Sequence, residues 1–197
     1  MNVLKLFDKA KEYVMDDSYY SKEVEYVRHR TFETQTAESF FIEYVFVVLS
    51  TGMKNQVVEK IMHRYFANGP SGETNIKAIN HKGKHKAIKE AEMHYKEWWG
   101  ELSRIVPVNE RLEFLDSLPF VGPITKFHLA RNLGIDVAKP DRHMKRLADK
   151  IGYKDVQNMC GTIANARDER VGVVDVILWR YINLLGWDTV SKECDAL

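Results

Sequence analysis

The stretch Leu118–Ile135, LPFVGPITKFHLARNLGI, decides how the fold of this chain is interpreted. Pro119 and Gly122 break a helical pattern, and apolar residues at helical spacing resume after Pro123. Pro123 suits the first position of a helix, where its missing N–H has no partner to lose, and Gly134 suits the residue that ends one. The stretch therefore predicts two helices joined by a tight turn, the second running from about Pro123 to the residue before Gly134.

A tight turn of this kind can present backbone N–H groups at the start of its second helix. Such groups suit a phosphate oxygen, because a helix N-terminus carries partial positive charge. Thr125 adds a hydroxyl donor, and Lys126, one turn into the helix, adds positive charge. We therefore predict a phosphate contact built from Gly122, Ile124, Thr125 and Lys126.

A basic segment, VAKPDRHMKRLADK, follows the hairpin at Val137–Lys150. It places a carboxylate, Asp141, in the first turn of its predicted helix. The simplest interpretation is a helix cap, because acids are favoured where backbone N–H groups are exposed. Lys139, Arg142 and His143 flank this carboxylate, either as phosphate contacts or as a solvated basic face.

Helical periodicity dominates the rest of the chain. In NQVVEKIMHRYF, Asn55–Phe66, apolar residues recur in pairs four apart, which is one face of an amphipathic helix. The segment VGVVDVILWRYINLLGW, Val171–Trp187, is apolar nearly all round, as a buried helix is. Convincing two-residue alternation is absent, and no Asn-Gly or Asp-Gly signal of a β-hairpin appears between apolar runs. The sequence therefore predicts an all-α protein of nine or ten helices.

Composition restricts the classes of function. The 197 residues, 45% of them hydrophobic and 29% charged, suit one large core or two small, intimately packed lobes. Because 29 basic residues face 28 acidic ones, any affinity for nucleic acid must come from where the basic residues lie. Two cysteines are too few for a disulfide framework or a cysteine-ligated metal cluster, and they suit a reducing compartment.

No pattern typical of secreted or membrane proteins is present. The start, MNVLKLFDKAKEYV, mixes charged and apolar residues at helical spacing, unlike a signal peptide. The longest apolar run, Phe40–Leu49, contains Glu43 and is far shorter than the roughly 20 residues that span a bilayer. We expect a soluble, intracellular, monomeric protein.

The hairpin stretch resembles the helix-hairpin-helix of the HhH-GPD superfamily of base-excision DNA glycosylases, which includes endonuclease III-like enzymes. Their hairpin typically reads Leu-Pro-Gly-Val-Gly, and an essential aspartate follows near the start of the next helix. Here GIDVAKP leads to Asp141 at close to the family spacing. Two upstream segments, Glu38–Phe66 and Ile79–Ala91, are similar to the family's early buried helix and to its minor-groove loop.

The resemblance implies a two-lobed helical fold with the active-site cleft between the lobes. One lobe would comprise residues 31–134, ending in the hairpin, and the other residues 1–30 with 135–197. The implied activity is hydrolysis of the N-glycosidic bond of a damaged or modified base that is flipped out of double-stranded DNA, without a cofactor or metal. Asp141 would stabilise positive charge on the sugar or activate the attacking water.

Three departures from the family pattern carry predictions. Phe120 replaces the first hairpin glycine, which predicts a distorted turn. Ile124 stands where bifunctional members carry a nucleophilic lysine, and Lys126 falls on another side of the helix. The four-cysteine iron–sulfur loop of some relatives is missing. The resemblance therefore implies a monofunctional glycosylase, without lyase chemistry.

A second basic segment, INHKGKHKAIK, surrounds one glycine. We predict that Lys82, Lys84 and Lys86 contact the DNA backbone, although a solvated surface loop is a close alternative. A metal site at His81 and His85 lacks the carboxylate–histidine spacing that would support it.

Acids inside apolar helices are further candidates. Glu43 and Asp175 must be paired, protonated or directed at a polar pocket, because burying a lone carboxylate is costly. Asp175 and Trp179 share a helical face that could line a base pocket; the alternative is a structural pair between Asp175 and Arg180 or Arg131. Relatives insert a wedge into the gap left by a flipped base, and the positions here are Met53 and Asn55.

Two other functions remain open from the sequence. The same hairpin could serve a DNA-binding module without catalytic activity, or an enzyme of modified-base metabolism built on this scaffold.

Overall fold

The structure, a computed structural model, describes residues 3–67, 69 and 79–196; the side chain of Asn55 is not among those described. Within these residues the chain forms eleven α-helices, one 3-10 helix at Phe32–Thr34 and no strand. The α-helices are α1 Val3–Asp16, α2 Ser18–His29, α3 Ala37–Ser50, α4 Asn55–Tyr65, α5 Lys82–Leu102, α6 Val108–Ser117, α7 Thr125–Asn132, α8 Arg142–Ile151, α9 Val156–Arg167, α10 Val171–Leu185 and α11 Trp187–Ala196. The predicted all-α class is confirmed.

There are more helices than the nine or ten predicted, because single residues separate some neighbours. Asp17 lies between α1 and α2, and its carboxylate accepts hydrogen bonds from the N–H groups of Tyr19 and Tyr20. Gly186, with φ of 80°, separates α10 from α11. Neither break has the cluster of turn residues that marks a loop in sequence.

The chain divides into two compact units. The first, here the central unit, is Thr31–Leu133. The second, here the terminal unit, contains the residues up to Arg30 and those from Gly134 onward.

The core of the central unit forms around α3. This helix begins with a capping box in which Thr36 and Ser39 exchange hydrogen bonds, and it packs against α4, α5 and α7. Aromatic rings fill the space between α3 and α5: Phe41 stacks on Tyr95 with centroids 4.8 Å apart, and Phe40 packs against Trp99.

The core of the terminal unit forms around α10, which packs against α1, α2, α8, α9 and α11. Its apolar residues are buried on every side, as the sequence predicted. None of the helices in the described parts of the chain combines the length and the apolar character that a membrane crossing requires.

The predicted hairpin is present as α6, a turn and α7. The second helix begins two residues later than predicted, at Thr125, so Pro123 belongs to the turn. Gly134 follows the helix with φ of 85°, which confirms its role as the residue that ends α7.

Candidate functional site

The hairpin turn is held in place by residues around it. Tyr44 donates its hydroxyl hydrogen bond to the carbonyl oxygen of Pro119, and burial raises the pKa of Tyr44, so that the phenol stays protonated as a donor. The N–H of Val121 donates to the carbonyl of Leu118 at 3.1 Å. Between them Phe120 has φ of 63°, in the left-handed region. The turn keeps a conformation suited to glycine, at a cost of about 1–2 kcal/mol for a residue with a side chain.

Gly122 and Thr125, two of the predicted phosphate contacts, hydrogen-bond to each other within the turn. The N–H of Gly122 donates to Oγ1 of Thr125 at 2.7 Å, and the Thr125 hydroxyl donates to the Gly122 carbonyl at 3.2 Å. The Thr125 hydroxyl thus donates within the turn, which disfavours the predicted phosphate contact; that contact stays a prediction. The Gly122 N–H is likewise directed into the turn. What remains is the N-terminus of α7, where Ile124 occupies the capping position without a side-chain hydrogen bond.

Lys126 joins the two helices of the hairpin. Its Nζ lies 2.9 Å from Oδ2 of Asp116 in α6, and its side chain is only 18% exposed. The Asp116 carboxylate balances the positive charge of Lys126, and the predicted phosphate contact of Lys126 stays a prediction. Ile124, by contrast, is 40% exposed.

The three lysines of the second basic segment have different environments. The segment is not a loop: it forms the first turns of α5, with His81 as the capping residue. Lys82 and Lys86 are four residues apart, so they share a face, and both are exposed. Lys84 lies on another side and is 3% exposed.

Lys84 binds carbonyl groups at the end of α3. Its Nζ donates to the carbonyl oxygens of Leu49 at 2.7 Å and Thr51 at 2.6 Å, and burial lowers the pKa of Lys84. These contacts disfavour the predicted DNA contact of Lys84, because its ammonium group already donates to two carbonyls; that contact stays a prediction. Lys82 and Lys86 remain predicted DNA contacts.

Asp141 caps α8, which confirms the simplest prediction for it. Both cap hydrogen bonds, from the N–H groups of His143 at 2.9 Å and Met144 at 3.1 Å, are accepted by the same oxygen, Oδ1. No hydrogen bond to Oδ2 is found within the described residues. The cap therefore uses half of the carboxylate.

The segment that leads to Asp141 is fixed by side chains of α9 and α10. The N–H of Ala138 donates to Oε1 of Gln157 at 3.0 Å, and the N–H of Lys139 donates to Oδ2 of Asp175 at 3.2 Å. Lys139 and His143 are half-buried, whereas Arg142, the first residue of α8, is exposed. The predicted residues Lys139, Asp141, Arg142 and His143 therefore all lie at the start of α8, in the terminal unit.

Asp175 is 1% exposed, and its observed role is to hold the Lys139 backbone. Arg180, one of the two arginines considered as its partner, pairs instead with Glu23. The Trp179 ring packs against the core of the terminal unit, with the Arg180 guanidinium 4.7 Å from its centroid. These contacts favour the structural interpretation of Asp175, while the base-pocket role of Asp175 and Trp179 stays a prediction.

The remaining candidates lie in the central unit. Glu43, 8% exposed, accepts a hydrogen bond from Nδ2 of Asn132 at 2.9 Å, so this buried carboxylate has a polar partner, while its role in a base pocket stays a prediction. Met53 is half-buried in the turn after α3, and its N–H donates to Ser50 at 3.2 Å. Asn55 begins α4, but its side chain lies outside the described residues. Their wedge role stays a prediction.

Sequence reasoning missed Arg170, which caps α10 and holds two backbone segments. Its guanidinium donates to the carbonyls of Val27 at 2.9 Å, of Arg30, and of Gly134 at 2.8 Å. The only signal was a charged pair, Glu169 and Arg170, directly before an apolar helix. Among the described residues, no group of three or more His, Cys, Asp or Glu side chains is placed to hold a metal ion.

No protein-family model and no curated protein matches the chain. Solved structures do. An 8-oxoguanine glycosylase/lyase of Methanocaldococcus jannaschii, in complex with a 15mer DNA containing 8-oxoguanine, superposes with a TM-score of 0.70 at 18% identity, over 91% of this chain and 96% of that one. The 8-oxoguanine DNA glycosylase of Thermotoga maritima gives 0.68 at 20% identity, over 93% and 96%. The chain therefore has the fold of the helical DNA glycosylases, and the resemblance drawn from the hairpin is confirmed at the level of the fold.

Proposed function

We propose, from this glycosylase fold, that the protein is a monomeric DNA glycosylase that removes a damaged or modified base from double-stranded DNA. One observation carries the proposal: the Asp141 carboxylate caps α8 through Oδ1 alone, which leaves Oδ2 for chemistry. Asp17 and Asp155 also cap their helices through Oδ1 alone, so the proposal combines the accessible Oδ2 of Asp141 with the position of this residue after the hairpin.

The chemistry follows from the charge that develops on the sugar. As the bond between C1′ and the base nitrogen breaks, positive charge spreads over C1′ and the ring oxygen. The base leaves with the electron pair of the broken bond and takes a proton from solvent, while the Asp141 carboxylate stabilises the charge on the sugar and accepts a proton from the attacking water. The products are the free base and an abasic site that carries the water oxygen at C1′. The hydrogen bonds to the Ala138 and Lys139 backbone fix the approach to Asp141, so that its position costs no reorganisation during the reaction.

Hydrolysis without lyase chemistry is part of the proposal. A Schiff base needs an amine, and Ile124 presents only an alkyl group at the position where the resemblance implies the lysine of bifunctional members. Two other lysines of this region are engaged, Lys126 with Asp116 and Lys84 with main-chain carbonyls. The DNA strand should therefore remain intact after base removal.

The differences from the family hairpin also favour a second function, that of a DNA-binding module without catalytic activity. A chain that carries Phe120 and Ile124 in its hairpin could bind DNA without reacting. A panel of duplexes with damaged or modified bases separates the two functions. Because the similar structures are 8-oxoguanine glycosylases, 8-oxoguanine opposite cytosine belongs first on the panel.

In this experiment each duplex is incubated with the protein and then treated with alkali to cleave abasic sites. Strand cleavage that requires alkali, on at least one lesion, supports the glycosylase. Tight binding to duplexes with no alkali-labile product on any lesion would favour the binding module. The Asp141→Asn variant, expected to bind without producing abasic sites, is the control for contaminating activity.

A further inference from the structure

Two locally unfavourable residues meet in the central unit. Phe120 adopts a left-handed backbone, with φ of 63°, which favours glycine. Gly83 lies in the first turn of α5, where a helix favours almost any other residue. Phe120 and Gly83 are each unfavourable for the backbone conformation they adopt, and the contact between them explains why both residue types are present.

The contact is close. A β-carbon added to Gly83 would lie 3.1 Å from Cε2 of Phe120, a separation that side chains avoid. The Phe120 ring also meets the His81 ring edge to face, with centroids 5.8 Å apart and an interplanar angle of 80°. The absence of a side chain at Gly83 is what lets the Phe120 ring lie against the start of α5.

The contact continues to the turn after α3. His81 caps α5 by accepting the Lys84 N–H at Nδ1, 3.3 Å away. Lys84 in turn donates to the carbonyls of Leu49 and Thr51. The hairpin, the first turn of α5 and the turn that contains the predicted wedge are therefore joined by a continuous series of contacts inside one unit.

We propose that Phe120 is a positioning residue for DNA binding, which holds the hairpin against α5 and fixes the spacing between the N-terminus of α7 and the exposed lysines Lys82 and Lys86. This inference rests on the proposed function. Phosphates of a duplex have a fixed spacing, and a surface already held at that spacing loses less entropy on binding. Phe120 would thus contribute to affinity by holding the hairpin in position.

The first experiment tests the contact without DNA. Melting temperatures are compared for wild type, Phe120→Gly, Gly83→Ala and the double variant. Gly83→Ala should lower the melting temperature of the wild type by roughly 3 °C or more, because the new methyl group displaces the ring. In the Phe120→Gly background the same change should leave the melting temperature equal or higher, because alanine favours the helix.

Gly100 provides a matched control for this cycle. It lies in the same helix, and an added β-carbon there meets nothing within 4 Å. Gly100→Ala should therefore have the same effect in both backgrounds. If Gly83→Ala also has the same effect in both, the two residues are not coupled and the inference is overturned.

The second experiment measures duplex affinity as a function of salt. Phe120→Gly should weaken binding about tenfold with the salt dependence unchanged, because the phosphates contacted are the same in number but their contacts are less well positioned. His81→Asn should act in the same direction, because asparagine keeps the cap but removes the ring that Phe120 packs on. Wild-type affinity in a folded Phe120→Gly variant overturns the positioning role.

The two experiments also separate this inference from the proposed function. A wild-type protein that binds no duplex refutes the proposed function and, with it, any role of Phe120 in DNA binding. Normal base removal and normal affinity in Phe120→Gly would refute the inference while leaving the glycosylase intact.

Discussion

At Asp141 the two carboxylate oxygens are used differently. Oδ1 accepts both hydrogen bonds that begin α8, from His143 and Met144. Asparagine also offers one side-chain oxygen, and it caps helices about as well as aspartate. It lacks only the negative charge, so the substitution Asp141→Asn separates the cap from the proposed chemistry.

Asp141→Asn should keep its melting temperature within a few degrees of wild type and lose base-removal rate by about 10²-fold or more. Duplex affinity should hold or rise, because a negative charge near phosphates is gone. Single-turnover kinetics on a lesion duplex, with thermal melting of the same samples, measure both effects. Base removal at the wild-type rate would show that the carboxylate is only a cap.

Ile124 is the second residue whose side chain bears on the proposed reaction, because it lacks the amine that a Schiff base requires. A lysine placed there would sit at the positive end of α7, which disfavours the protonated amine and thus favours the nucleophile. We expect Ile124→Lys to form a covalent adduct that borohydride traps on a lesion duplex, whereas wild type forms none. Ile124→Met is the control for side-chain size. The absence of an adduct in a folded, DNA-binding Ile124→Lys variant would show that this position does not face the sugar.

At the scale of the helices, the sequence predicted the elements well and their starting points less well. Pro119, Gly122 and Gly134 are local signals, and they located the hairpin. The first turn of α5 has no such signal: histidine is an unusual cap, and glycine favours a loop. That turn is stabilised by contacts with Phe120 and with the end of α3, which are distant in sequence.

Because α5 begins at Lys82, Lys82 and Lys86 lie on its exposed face and Lys84 lies on another. Only the exposed pair is therefore expected to affect the salt dependence of DNA binding. Replacing Lys82 and Lys86 by alanine should weaken binding to any duplex and reduce the slope of log affinity against log salt by up to about one unit per lost phosphate contact. Lys84→Met should leave that slope unchanged. It should instead destabilise the fold by about 1–3 kcal/mol, because the carbonyls of Leu49 and Thr51 lose their donor.

Titrations of duplex against each variant at several salt concentrations, with chemical denaturation, measure these two effects. An unchanged slope in Lys82→Ala/Lys86→Ala would show that the exposed face of α5 does not contact DNA. A reduced slope in Lys84→Met would show that the buried ammonium group contributes to DNA binding after all.

At the scale of the whole molecule, ion pairs fix distant parts of the terminal unit. Glu169 pairs with Arg28 of α2 at 2.8 Å and with Lys11 of α1 at 3.5 Å. Burial alone would raise the pKa of Glu169, but the hydrogen bonds from Arg28 and from the Arg170 backbone outweigh it, and the pKa lies below its usual 4.5. None of these pairs was visible in the sequence, because they depend on how α1 and α2 pack near the start of α10.

The lowered pKa of Glu169 determines whether folding stability rises or falls with pH. A carboxylate with a folded pKa below its unfolded value stabilises the protein above about pH 4.5, and this stabilisation is lost as the pH falls through the folded pKa. Glu169→Gln should therefore lower the melting temperature at pH 7, by an amount that shrinks as the pH falls below 4.5. A difference that stays constant between pH 7 and pH 3 would show that the Glu169 charge does not stabilise the fold.

Arg170 binds the two chain segments at which the terminal unit continues into the central unit, at Arg30 and at Gly134. The carbonyls of Arg30 and Gly134, the residues that flank the central unit in sequence, both accept from its single guanidinium. Two acceptors of one guanidinium are separated by no more than about the span of two extended residues. Topologically, the central unit is thus an insertion with adjoining ends, and a linker of about three residues should close the chain over its excision. Arg170 is the residue that holds the two ends of this insertion together.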